Sequence, residues 1–150
     1  MSENAPEPAT HSGRAPAPVG AYPHARRVGN LLFLSGIGPR EPGTDGVPGN
    51  VLDEAGNVVG HDIAAQCRAV FRNVRAVLED AGSGWEHIVD VTVFLTHLKD
   101  DFATYNRVWA EYFTANRPSR TTVEVSRLPT PIAIELKVIA IVPGAGRAGN

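Results

Sequence analysis

A chain of 150 residues with 43% hydrophobic and 20% charged residues holds enough apolar material for one globular domain with a real core. Its 14 Lys and Arg against 16 Asp and Glu give a net charge of −2, which removes any global electrostatic case for nucleic acid or an acidic membrane as partner. The single cysteine, Cys67, excludes an intramolecular disulfide and a zinc site built from cysteines. No apolar run reaches the roughly 18 residues of a membrane helix, and the N-terminus lacks an apolar signal core. A cytoplasmic protein is the expectation.

Residues 1–18 are rich in Pro, Ala and polar side chains and are expected to form a flexible arm. "RRVGNLLFLSG" predicts two short strands around a Gly29-Asn30 turn. Residues 39–61 are dense in Gly, Pro, Asp and Asn, so they read as a long loop with a small hairpin near Asn57. Asp62 has the character of an N-cap. Ile63, Cys67, Val70, Val74, Val77, Leu78 and Ala81 then follow at three- and four-residue intervals up to Gly82, predicting an amphipathic helix. Residues 87–96 predict a strand with Val89, Val91, Val93 and Leu95 on one face. Residues 100–113 predict a second helix, buried through Phe102, Tyr105, Trp109, Tyr112 and Phe113 and ended before Pro118. "RTTVEVSRLPTPIAIELKVIAIV" predicts two strands across a proline-rich turn, and residues 144–150 form a tail.

Seven main elements with only two helices describe an α+β domain over residues 19–143, with both helices on one face of the sheet. In the last strand Ile132, Ile134, Leu136, Val138 and Ala140 point one way and suit the helix side. Ala133, Glu135, Lys137, Ile139 and Ile141 point the other way. That face is half apolar and half charged, so a partner subunit is expected to cover it.

Most motif-like features carry little. "GAGRAG" satisfies GxGxxG but ends one residue before the chain, with no room for the helix a pyrophosphate needs. His11, His24, His61, His87 and His97 show no metal-ligand spacing and read as scattered surface residues, so no metal is expected. Cys67 lies on the apolar stripe of the first helix and reads as core.

Arg120 and Glu135 are the informative pair. The plain reading is an ion pair across two adjacent strands, contributing about 0–1 kcal/mol if exposed. The functional reading needs their shared face to be covered. There an arginine fork can grip a carboxylate in bidentate fashion, and a glutamate can hold and polarise a water. The pair then suffices to add water to a small carboxylic acid without metal or cofactor.

"GAYPHARRVGNLLFLSGIGP", "HDIAAQCRAVFRNVRAVLEDAGSGWEHIVDVTVFLTHLKDDFATYNRVWAEYF" and "RPSRTTVEVSRLPTPIAIELKVIAIV" together resemble the RidA/YjgF family over nearly all of residues 20–142. The resemblance implies a chorismate-mutase-like α+β fold and a trimer whose sheets pack into a central barrel. It implies active sites in the clefts between subunits and hydrolysis of enamines and imines to keto acids and ammonia. By position, Arg120 corresponds to the substrate-carboxylate arginine and Glu135 to the water-positioning glutamate. Tyr22, Ser35, Gly36 and Asn106 correspond to other cleft residues.

The departures from the family pattern cluster around this site: Gly20-Ala21-Tyr22-Pro23-His24, Ser35-Gly36-Ile37-Gly38, Thr122 in place of a common cysteine, and the long segment 39–61. "PHARRVGNLLFLSG", "GPR" and "LPTPIAIELK" are similar to the 2-aminomuconate deaminases within the family. Their substrate carries two carboxylates, which asks for a second cation or set of donors. Arg26, Arg27, Arg40 and His24 are candidates, with Arg40 preferred. The resulting expectation is a homotrimer, or a hexamer of two trimers, that deaminates 2-aminomuconate. The alternatives are a broad enamine/imine deaminase and a non-catalytic ligand-binding or chaperone-like trimer.

Overall fold

The computed structural model describes residues 8–144 of the chain. The apolar spacing that begins at Ile63 becomes α1 (Ile63–Asp80), which buries Cys67, Val70, Phe71, Val74, Val77 and Leu78. Asp62 caps it by accepting from the Ala65 N–H at 3.2 Å. Gly82, at φ +83°, ends it. The N–H groups of Gly82 and Ser83 close back on the carbonyls of Glu79 and Leu78 at 3.1 and 2.8 Å, a Schellman arrangement that needs the left-handed residue.

The remaining elements are strands β1 (Ala9–Thr10), β2 (Ala25–Val28), β3 (Leu31–Leu34), β4 (Asn50–Leu52) and β5 (Val58–His61), a short 3-10 turn (Trp85–His87), strand β6 (Ile88–Leu95), helix α2 (Leu98–Tyr112), and strands β7 (Ser119–Glu124) and β8 (Ile134–Ile141). Six strands form one sheet in the order β1-β2-β3-β8-β6-β7. Only β6 and β7 are parallel, because α2 carries the chain back over the sheet between them. The expected hairpin near Asn57 forms as β4–β5, with the Asp53 carboxylate accepting from the Asn57 N–H at 2.8 Å.

Both helices pack on one face, as expected. Leu32, Leu34, Val91, Val93, Leu95, Ile134, Leu136, Val138 and Ala140 are fully buried beneath them. Trp85, Tyr112 and Phe113 surround Phe71 on α1, and Trp109 and Phe113 stack with ring centroids 4.2 Å apart. No described helix is long and apolar enough to cross a membrane.

Four expectations need correction. First, residues 8–18 are docked. Ala9 and Thr10 pair with Arg26 and Ala25, Ser12 and Ala15 are buried, and Arg14 reaches Glu79 and Asp80 on α1 at 2.8 and 2.9 Å. Polar ties and an added strand hold this segment, so its low hydrophobicity did not foretell its order. Residues 1–7 of the expected arm, and the tail with its GxGxxG match beyond Gly144, lie outside the described residues. Second, β6 does not present Val89, Val91, Val93 and Leu95 as one row. A bulge between Ile88 and Asp90 inserts an extra residue, so Ile88 faces the core and Val89 is 42% exposed. Third, α2 begins at Leu98, and Phe102 lies exposed while Tyr105 and Val108 are buried. Fourth, β7 and β8 are not neighbours, because β6 lies between them.

A candidate active site divided between two surfaces

Glu135 sits on β8 opposite Phe94, on the face of the sheet that the helices leave open. Its carboxylate lines a small pocket of about 40 Å³ with Tyr22, Gly36, Arg40, Thr130 and Ile132. Gly36 leaves room for the Glu135 carboxylate in its present position. A Cβ at that position would lie 2.9 Å from the Glu135 carboxyl carbon. Among the described residues no cation pairs with Glu135, and burial raises its carboxyl above the usual glutamate range.

The walls are held by the backbone ties of their neighbours. Ser35 donates its hydroxyl to the Pro23 carbonyl at 2.7 Å, which ties β3 to the segment bearing Tyr22. Arg40 donates to the Ala17 carbonyl at 2.8 Å. Its own carbonyl and that of Gly38 accept from Asn73 on α1, at 2.9 and 2.8 Å. The entry to β8 is pinned in the same way. Gln66, fully buried, accepts from the Ala133 N–H and donates to Asn50, each at 2.8 Å. Asn73 and Gln66 are seven residues apart on the apolar stripe of α1. Amides at such positions are the signal that sequence reading could have used to find them.

His24 lines the adjoining cavity but is only 4% exposed. Its Nδ1 accepts from the Ser12 N–H at 2.9 Å, so Nε2 carries the proton and donates to the Pro16 carbonyl at 2.7 Å. No ring nitrogen is left for a ligand. The expected contact with substrate gives way to a clamp on the N-terminal segment.

Arg120 occupies a different surface. It pairs in register with Val91, whose side chain is buried under the helices, so Arg120 projects to the helix side of the edge strand. Its guanidinium lies 5.0 and 4.9 Å from the ring centroids of Tyr105 and Trp109. Tyr105 is fixed by a 2.8 Å hydrogen bond to Thr122, the residue two beyond Arg120. Burial raises the Tyr105 phenol, against the lowering effects of Thr122 and Arg120. Asn106, Trp109, Arg117 and Arg120 line an open groove of about 460 Å³.

Tyr22, His24, Ser35, Gly36, Arg40 and Glu135 therefore gather at one place, and Asn106 and Arg120 at another. The expected sharing of one face by Arg120 and Glu135 is corrected, and they form no ion pair. They lie on opposite faces, two strand spacings or roughly 10 Å apart across the sheet, and offset by three residues along it.

The fold also assembles three residues that the sequence scatters. His61 at the end of β5 donates from Nε2 to Asp101 Oδ2 on α2 at 2.7 Å, and the His97 ring lies 4.9 Å from the His61 ring. The reading of these histidines as isolated surface residues is thereby corrected. Burial pushes the Cys67 thiol up to about 12, so it is no nucleophile at neutral pH.

Comparison with known proteins agrees with this architecture. The family described as Endoribonuclease L-PSP matches residues 12–142. A RutC family protein of Pyrococcus abyssi is 42% identical over 127 residues, covering 85% of this chain and 91% of the relative. The crystal structure of the YjgF gene product from E. coli superposes with a TM-score of 0.76 at 37% identity, covering 89% of this chain and 98% of that one. That of E. coli TdcF with bound serine gives 0.77 at 33% identity, covering 90% and 98%.

Proposed function

The chain belongs to the RidA/YjgF family, whose description reads Endoribonuclease L-PSP, and on that premise we propose that it is a cofactor-independent hydrolytic deaminase of an enamine or imine dicarboxylate, 2-aminomuconate. The observation that carries this reading is the division of the site. Among the described residues Glu135 has a pocket but no cation paired to it, and Arg120 has an open groove but no acid paired to it, on opposite faces of one sheet. A homotrimer that lays the β7 edge of one subunit against the open face of the next would join the two halves. The Glu135 pocket alone, at about 40 Å³, has room for a water and not for a muconate.

The enamine first moves a proton from its amino nitrogen to the conjugated carbon chain and becomes the imine. In the joined cleft, Arg120 of the partner subunit grips the carboxylate beside the imine carbon and draws electron density from it. Glu135 takes a proton from a water as that water adds to the carbon, and returns it to the departing nitrogen. The carbinolamine collapses to a 2-oxo acid, 4-oxalocrotonate for this substrate, and ammonia. Burial raises the Glu135 carboxyl, which makes its carboxylate a better proton acceptor than an exposed glutamate. Because the substrate is already reactive, positioning and modest proton transfer suffice.

Arg40 supports the dicarboxylate. It lines the Glu135 pocket, and among the described residues no acid pairs with it. A second carboxylate at the far end of an extended substrate would find a cation there. A ribonuclease role fits less well, because a net charge of −2 provides no run of cations for a phosphate chain. The test is ammonia release from 2-aminomuconate and from the imine of a 2-aminoacrylate precursor. The expected result is higher kcat/KM for 2-aminomuconate, with loss of both activities in Arg120→Ala and Glu135→Ala. A preference for the smaller imine would replace the dicarboxylate reading with that of a broad deaminase. Undiminished ammonia release in both variants would overturn the mechanism and favour a non-catalytic binding trimer.

A further inference from the structure

We propose that His61, His97 and Asp101 form a binding site for one divalent transition-metal ion, with zinc the best match to the donors. The donor atoms come from two elements that are distant in sequence. His61 ends β5, while His97 and Asp101 stand one helical turn apart at the start of α2. One ligating atom from each residue lies within 4.8 Å of the others. Zinc bonds of about 2.0–2.2 Å place neighbouring donors about 3.3 Å apart in a tetrahedron. The His61–Asp101 contact at 2.7 Å would open slightly, and the exposed His97 ring would move in by an ångström or so.

The chemistry of the set favours a metal over a plain polar contact. Asp101 is only 7% exposed, and among the described residues its one ionic partner is His61. With His61 neutral, a negative charge stays in a partly dry place. A dication between His61 Nε2 and Asp101 Oδ2 would replace the bridging hydrogen and neutralise that charge, with His61 carrying its proton on Nδ1 instead. Two imidazoles and one carboxylate suit zinc and its first-row neighbours, and are poor ligands for calcium or magnesium. Thr96 Oγ1 already lies 2.8 Å from His97 Nδ1, the outer hydrogen bond that orients a ligating imidazole through its other nitrogen.

His61 and His97 also line a pocket of about 420 Å³, walled by Thr96, Ser126 and the turn 127–133. That opening gives an ion an entry path and leaves a coordination position for water or a small ligand. Pro129, Thr130 and Ile132 belong to this wall and to the wall of the Glu135 pocket, so an ion here would stiffen a segment that both cavities share.

The experiment uses the full-length protein after dialysis against a chelator. Zinc chloride is titrated calorimetrically, and cobalt(II) is added in parallel to read coordination from its visible spectrum. The expected result is saturable uptake of one ion per chain, with a cobalt spectrum of tetrahedral or five-coordinate form. His97→Ala, at an exposed position, is expected to weaken zinc at least about tenfold while the circular dichroism stays unchanged. Asp101→Asn should do likewise. His87→Ala, which removes a partly buried histidine lying 3.4 Å from Glu86, should leave binding as it was. Absence of saturable zinc uptake would overturn the site and leave a His–Asp hydrogen bond that ties the hairpin to α2. Unchanged affinity in both His97→Ala and Asp101→Asn would overturn it too.

Discussion

The two faces of the six-stranded sheet are built to different ends. Under the helices, Leu32, Leu34, Val91, Val93, Ile134, Leu136 and Val138 have no exposure. On the other face, Phe33, Phe94, Ile139 and Ile141 are half-buried, Leu31 and Val123 are exposed, and Glu135 and Lys137 stand among them. The strands and backbone hydrogen bonds are the same, so the contrast lies in what covers each face. The first is saturated by its own chain. The second keeps apolar area in reach of water and holds an acid that, among the described residues, is in no ion pair, a state that one protomer alone leaves unresolved.

The largest effect that can break this contrast is recovery of activity from two dead variants. Arg120→Ala and Glu135→Ala are each expected to lose about 10³-fold or more in kcat/KM, through a lost carboxylate anchor or a lost proton carrier. If each cleft takes Glu135 from one subunit and Arg120 from the next, an equal mixture refolded together rebuilds about one intact cleft in four. Ammonia release should return to about a quarter of the wild-type rate, and only after subunit exchange. No recovery would mean that both groups act from the same chain, against the geometry described here.

A second pair of substitutions separates the faces by what they stabilise. Leu136→Ala beneath the helices should cost about 2–5 kcal/mol in unfolding free energy without changing the mass of the assembly. Ile139→Lys on the open face should cost less in the fold and instead yield monomers by light scattering. If Ile139→Lys keeps the wild-type mass, the open face is not where subunits meet.

The same contrast decides what could be read in the sequence. The helix-facing row of β8 and the stripe of α1 are encoded many times over, by one apolar residue after another, and both were legible. The neighbours of β7 were less so, although a strand–helix–strand unit favours parallel pairing of β6 with β7 and so separates Arg120 from Glu135. The bulge at Val89 shifts one residue and leaves the composition unchanged. The strap at residues 8–18 is held by His24, Ser12, Arg14 and Asp80, whose contacts to and from it span 8 to 68 positions. His61 meets Asp101 across 40 positions. Polar contacts of that range depend on the finished fold, and no local pattern announces them. Arg120 and Glu135 stood out in the sequence as charges on strand segments, with an ion pair as the plain reading, while Tyr22, Gly36 and Arg40 became candidates only through family resemblance.

The smallest effect, and the most direct probe of the uncovered acid, is the pH dependence of stability in Glu135→Gln. Burial raises the Glu135 carboxyl when the chain is folded, so the folded state holds that proton more tightly than the unfolded one. As pH rises from the ordinary glutamate value of about 4.3 to the raised folded value, the wild type loses stability, and above that window the loss is complete. Below it both states are protonated and the residue contributes nothing. Glutamine mimics the protonated form, so the variant should match the wild type at low pH and exceed it at pH 7. Comparing the two at each pH cancels opposite contributions such as that of Asp80, which Ser12 and Arg14 hold below the usual range. The gain should be fullest in the monomeric Ile139→Lys background. If assembly brings Arg120 of the partner subunit to Glu135, its guanidinium favours the charged acid, and the gain should shrink or reverse. An equal gain in both backgrounds would mean that no cation reaches Glu135 on assembly, and the divided site would lose its second half.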